Sequence, residues 1–151
     1  MNKWIKLLLF ILICQGAGIF GSIFTAPSIG EWYVDLNKPF FTPPSWMFGP
    51  VWISLYTLMG ISLYLVWDKR DKISISLFSI QLGLNAIWSL LFFGLQNPLY
   101  GLAGIIPLWF AILLTIIKFY RIDKKAGLIL IPYILWVTVA TALNYYILIL
   151  N

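Results

Sequence analysis

The chain has 151 residues, 62% of them apolar and 10% charged, with a net charge of +5. A soluble domain carries about 25% charge, so there is too little polar surface here to cover a water-soluble globule, and the class is integral membrane protein. Histidine is absent and cysteine occurs once, at Cys14, which excludes imidazole acid–base chemistry, an axial histidine on a haem and an internal disulfide. The basic residues sit in short clusters between apolar runs, which reads as a topology signal at an anionic membrane face and not as a nucleic-acid surface. Met47, Met59 and Cys14 are scattered, so no metal site is expected.

A bilayer core of about 30 Å needs roughly 20 apolar residues per helix. Five segments meet that length, at about 5–25, 46–67, 73–95, 99–120 and 126–150. The expected fold is therefore all-α: an integral membrane bundle of five transmembrane helices in one domain, with unbroken spans. Lys3 and Lys6 precede the first apolar run as they would in a signal peptide, but the run continues too far and lacks an A-x-A-like site, so it is read as a retained helix. Ala17/Gly21 and Gly18/Ser22 pair small residues four apart, which allows close helix approach within the bundle or in a homodimer.

The loop at 26–45 is the one long connection. Five of the eight prolines fall between Pro27 and Pro50, and four of the eight tryptophans between Trp32 and Trp67. Proline fixes backbone torsions and lowers the entropy lost on ordering, so this segment reads as a preset lid.

Five spans place the amino terminus and the second and fourth loops on one side, with Lys3, Lys6, Lys69, Arg70, Lys72, Lys118, Arg121, Lys124 and Lys125. The other side receives Lys38 alone, and this asymmetry predicts a cytoplasmic amino terminus, an external carboxyl terminus and an external lid. The membrane is expected to be a cytoplasmic one. No repeat divides the chain, which counts against an inverted-repeat transporter.

Every acidic residue (Glu31, Asp35, Asp68, Asp71, Asp123) lies in a loop or at a helix end, so no charge-lined pathway crosses the membrane. Neutral polar residues remain inside. Gln81, Asn85, Trp88, Ser89 and Phe92 share one helical face; Tyr133, Trp136, Ala140, Leu143 and Asn144 share another; Trp52, Tyr56, Met59 and Gly60 share a third. Amides are costly in lipid, so these faces should turn into the bundle. Trp4, Trp46 and Trp67, at helix ends, read as an interfacial belt. Trp52, Trp88 and Trp136, in phase with the amides, read as the wall of an aromatic site for a flat hydrophobic ligand; the alternative is that they only fill the core.

Four ordered motifs carry a resemblance. They are W-Y-x-x-L-x-K-P-x-x-x-P-P from Trp32, F-G-P-V-W-x-x-L-Y-x-x-M-G from Phe48, Q-L-x-L-N-x-x-W-S-x-x-F-F-G from Gln81, and P-Y-x-x-W-x-x-x-A-T-x-L-N from Pro132. Together they resemble the TspO/MBR family (tryptophan-rich sensory protein and translocator protein, also called the peripheral benzodiazepine receptor family), and the short chain resembles its bacterial members.

The resemblance implies a receptor or sensor that binds porphyrins such as protoporphyrin IX, or isoquinoline-carboxamide and benzodiazepine-type molecules, in a cavity under the first loop. It requires no cofactor; a porphyrin would be ligand or substrate. Carried onto this sequence, the ligand-binding residues are Ser22, Trp32, Tyr33, Phe48, Val51, Trp52, Asn85, Trp88, Trp136, Ala140 and Leu143. Lys38, the one cation near the lid, is a candidate partner for a propionate. The resemblance also admits light-dependent oxidative breakdown of the porphyrin, for which Trp52 and Trp136 are the redox-active catalytic candidates. Transport of a hydrophobic ligand, tetrapyrrole or sterol-like, is the alternative. The sterol motif of animal members is incomplete here, because Tyr145 and Tyr146 are followed only by I-L-I-L-N.

Overall fold

The computed structural model describes residues 2–151. Helix α1 (Lys3–Ile29) starts where the Asn2 side chain accepts the Trp4 N–H at 2.8 Å. The lid follows, with one 3₁₀ turn at Tyr33–Asp35 and a second at Ser45–Met47 that leads into α2 (Phe48–Trp67). Helix α3 (Lys72–Ser89) widens into a π turn at Leu90–Gly94. Helix α4 (Pro98–Ile122) is capped by Asn97, whose side chain accepts from the Leu99 and Tyr100 amides. The last span is α5 (Lys124–Ile129) followed by α6 (Ile131–Leu150).

Five helical stretches are thus long and apolar enough to cross a membrane, and no strand occurs among the described residues. The protein is an all-α integral membrane bundle. Its surface is inverted relative to a soluble fold: Leu8, Leu12, Ile53, Phe110 and Leu135 are exposed, while Ser62, Gln81, Asn85, Thr115 and Asn144 are buried. With hydrocarbon outside, the apolar side chains need no shelter, but the amides and hydroxyls must find partners within the protein.

Three departures from the sequence expectation have local causes. Helix α1 runs four residues beyond 25 and carries Pro27 in its last turn, where the neighbouring Ser28 hydroxyl is anchored on the Phe93 carbonyl at 2.7 Å. The third span ends in a π turn and not a regular helix, its wider ring closed by Leu95 N–H on Leu90 C=O at 2.8 Å; because the turn stops at Gly94, no later amide continues the ladder to the Phe93 carbonyl, and Ser28 takes it. The fifth span is interrupted at Leu130 because Pro132 has no N–H to continue the ladder.

Helix α1 packs on α2 and α3, α3 on α4, α4 on α5 and α6, and α2 on α5. In the half of the bundle that ends in the basic loops α2 packs closely on α1 and α5, while a cleft lined by Phe10, Leu63, Trp67, Phe78 and Leu82 separates α1, α2 and α3. A Cβ added to Gly60 would stand 2.5 Å from the Ile11 Cα, so α1 and α2 meet there backbone to backbone, an approach that glycine alone allows. Ser62 Oγ donates to the Ala126 carbonyl at 2.7 Å and joins α2 to α5. Lys6 pairs with Asp68 and ties the start of α1 to the end of α2; the hydrogen bond and charge of Lys6 hold the Asp68 carboxyl below the usual carboxylate range.

Candidate functional site

Towards the lid the helices separate, and α1, α2, α3 and α6 enclose a cavity of about 300 Å³. Tyr33, from the lid, packs edge-on to Phe48 at 5.9 Å and against Phe93 at 5.7 Å. Phe48 in turn meets Trp136 edge-on at 6.0 Å. Trp52 stacks on Tyr56 at 5.6 Å and 29°, and Trp88 on Phe92 at 5.4 Å and 23°. Offset and edge-to-face pairs of this kind set ring positions as well as burying area.

Behind the wall runs a buried polar chain. Tyr56 Oη donates to Asn85 Oδ1 at 2.5 Å, Asn85 Nδ2 donates to Tyr133 Oη at 2.7 Å, and Tyr133 Oη donates to Gln81 Oε1 at 2.7 Å. Trp88 Nε1 donates to Asn144 Oδ1 at 3.1 Å, and Asn144 Nδ2 to the Pro98 carbonyl at 2.7 Å. These bonds commit both ends of the Asn85 and Asn144 amides and the carbonyl of Gln81 to neighbouring helices, while Gln81 Nε2 stays buried without a partner.

Of the residues expected at the site, Ser22, Tyr33, Phe48, Trp52, Trp88, Trp136, Ala140 and Leu143 line the cavity. Three do not. Asn85 is 2% exposed, with both its carbonyl and its amide engaged by tyrosines. Trp32 packs edge-on to Phe92 at 5.4 Å, and Val51 packs against the core beside Trp52. Lys38 is also committed elsewhere: its ammonium donates to the carbonyls of Tyr33, Leu36 and Val34 at 2.8, 3.1 and 3.3 Å and lies 4.8 Å over the Tyr33 ring. An ammonium has three protons, and all are used in holding the lid, so the propionate partnership expected for Lys38 is not supported.

The sequence reading missed Phe93, Gln15 and Gly18, which line the cavity together with Tyr56. Tyr56 was legible, since it shares the Trp52 face. Gly18 lies where a Cβ would come within 2.5 Å of the Tyr56 ring, so its small size makes room for the wall. Gln15 bridges α1 to α2 through the Ile53 carbonyl and Thr57 Oγ1, both at 2.9 Å. Phe93 enters through the π turn, which helical phasing cannot foresee.

The fold and cavity define a five-span membrane protein with an aromatic chamber under a structured lid. The sequence profile of the TspO/MBR family matches residues 10–150. A tryptophan-rich protein TspO of Archaeoglobus fulgidus is 50% identical over 97% of both chains. The tryptophan-rich sensory protein of Cereibacter sphaeroides is 32% identical, covering 94% of this chain and 89% of its own, and the human translocator protein is 32% identical, covering 94% and 88%. The chain belongs to the TspO/MBR family.

Proposed function

We propose that the protein is a membrane receptor that binds a flat, largely apolar ligand of the tetrapyrrole class in the chamber under the lid. The observation that carries this reading is the cavity wall, in which Tyr33, Phe48, Trp52, Trp88 and Trp136 surround one space. Ring faces and edges at that density suit an extended π-system, and a mostly hydrophobic wall with few polar groups is what such a ligand needs. A sensory role is supported by the name of the Cereibacter sphaeroides relative, a sensory protein, while the human relative is named a translocator. The amino terminus lies in the cytoplasm and the lid outside, on the strength of the basic loops.

Light-dependent breakdown of the ligand is the second reading. It draws on Trp52 and Trp136 at the cavity wall, oxidisable side chains placed against a ligand that itself absorbs light. Both readings are tested by titrating the purified protein with protoporphyrin IX in darkness and then under illumination. Receptor binding predicts saturable quenching of tryptophan fluorescence in the dark. Catalysis predicts loss of the porphyrin spectrum that is faster with the wild type than with a Trp52→Phe/Trp136→Phe variant. Equal bleaching by both removes the catalytic reading, and no dark quenching removes tetrapyrrole binding.

A further inference from the structure

The cleft between α1, α2 and α3 lies apart from the chamber and has a volume of about 510 Å³. Along α1 its wall runs from Phe10 through Ala17 to Phe20, and along α3 from Ile75 through Gly83 to Ala86. At a rise of about 1.5 Å per residue each wall is about 15 Å long, half of a hydrocarbon core of about 30 Å. The cleft is one leaflet deep. Ile13 and Phe20, which also line it, are exposed, so it faces the lipid. The one hydroxyl on the wall, that of Ser79, donates back to the Ile75 carbonyl at 2.9 Å.

One end of the cleft meets a cluster of cations. Phe10 and Trp67 close that end, with ring centroids 4.9 Å apart, and a tryptophan at a helix end marks the depth of the headgroups. Lys6 stands one turn before Phe10 and Lys72 one turn before Ile75, while the Arg70 N–H donates to the Trp67 carbonyl at 3.0 Å. Lys3, Lys6, Lys69, Arg70 and Lys72 outnumber Asp68 and Asp71 in this region. Asp68 is paired with Lys6 and Asp71 accepts the Ser74 hydroxyl. Lys69, Arg70 and Lys72 are exposed and enter no ion pair among the described residues.

A groove with hydrocarbon walls gains dispersion contacts when a flexible chain fills it, and a basic cluster beside a span attracts anionic headgroups. A second copy of the protein set symmetrically on this face would bring two basic clusters together, like charge against like. We propose that the cleft is a lipid site. One acyl chain of an anionic glycerophospholipid lies between α1 and α3, and its phosphate headgroup sits against Lys69, Arg70 and Lys72.

The test is native mass spectrometry of the delipidated full chain in mild detergent, titrated with palmitoyl-oleoyl phosphatidylglycerol or palmitoyl-oleoyl phosphatidylcholine. Wild type should bind one phosphatidylglycerol about tenfold or more tightly than phosphatidylcholine. Lys69→Gln/Arg70→Gln/Lys72→Gln should bring phosphatidylglycerol down to the phosphatidylcholine level and leave phosphatidylcholine unchanged. Gly83→Leu should weaken both lipids, because nothing lies within 4 Å of a Cβ at Gly83 and the larger side chain has the cleft to fill. Gly83→Ala, which adds a single methyl, should bind as wild type does and separates filling of the cleft from loss of a helical glycine. Equal binding of the two lipids by wild type overturns the proposal. So does phosphatidylglycerol binding that Gly83→Leu leaves intact, which would be attraction to the basic loops alone. A lipid-free dimer that Gly83→Leu abolishes would assign the cleft to a second copy instead.

Discussion

Asn37 and Asn151 grip each other across 114 residues of sequence. The Asn151 side chain donates to the Asn37 carbonyl at 2.9 Å and accepts the Asn37 N–H at 3.1 Å. Phe41 meets Tyr146 edge-on at 5.7 Å beside this clasp. The lid is therefore fastened to the end of α6, in addition to the stiffness its prolines provide. Asn151→Ala removes both bonds. Exposed bonds of this type are worth about 1 kcal/mol each, so the lid amides of residues 36–41 should exchange with deuterium roughly tenfold faster or more, with helix content unchanged. Equal exchange in the variant would mean the clasp holds nothing.

A second expectation concerns the close contact of α1 with α2. Gly60→Ala places a Cβ 2.5 Å from the Ile11 Cα, and backbone cannot yield as a side-chain tip can. Overpacking of this kind costs about 1–3 kcal/mol, to be read as a lowered unfolding midpoint in detergent. Gly83→Ala is the matched control, because nothing lies within 4 Å of its added Cβ; it should be neutral in the monomer.

Asn85 offers a separation of structure from binding. Asn85→Ala breaks the bonds to Tyr56 and Tyr133 and should destabilise the bundle by about 1–2 kcal/mol, since such bonds average about 0.6 kcal/mol in membranes. Porphyrin affinity should fall less than in Trp136→Ala, because Trp136 lines the chamber and Asn85 stands behind it. A larger affinity loss in Asn85→Ala would return Asn85 to the ligand.

Alkaline pH probes Tyr33. Burial pushes its phenol up to about 12, above the ordinary value of about 10. The folded state holds the proton more tightly, so this contribution to stability is complete below pH 10 and is lost as pH rises from there towards 12. The melting temperature of wild type should therefore fall more steeply over that window than that of Tyr33→Phe. Parallel curves would show that the phenol ionises freely in the folded protein.

Much of this architecture was legible in the sequence because lipid imposes a simple rule. Apolar runs of spanning length gave the helices, and the phase of Trp52, Trp88 and Trp136 placed all three on the chamber. What escaped depended on competition among partners. Asn85 was expected at the cavity wall from the family resemblance, and its amide is bonded to two tyrosines, one on α2 and one on α6, a pairing that spacing along one chain does not reveal. Lys38 looked like a free cation for the same reason, until the lid folded its carbonyls around it. The π turn at Leu90–Gly94 left no periodic trace, since one extra residue in a turn shifts the phase of Phe93 without altering composition.

The contrast between the two halves of the bundle bears on traffic. Below the chamber, Cys14 and Met59 are fully enclosed, Tyr133 and Gln81 nearly so, and α1 meets α2 at Gly60 without side chains between them. The chamber is thus a cup and not a pipe: these buried side chains form its floor, and the space nearer the basic loops is a separate cleft between α1, α2 and α3 lined by Phe10, Leu63, Trp67, Phe78 and Leu82. A molecule that settles there departs through the mouth or sideways between helices, so any delivery across the bilayer along the bundle axis would require the floor itself to come apart.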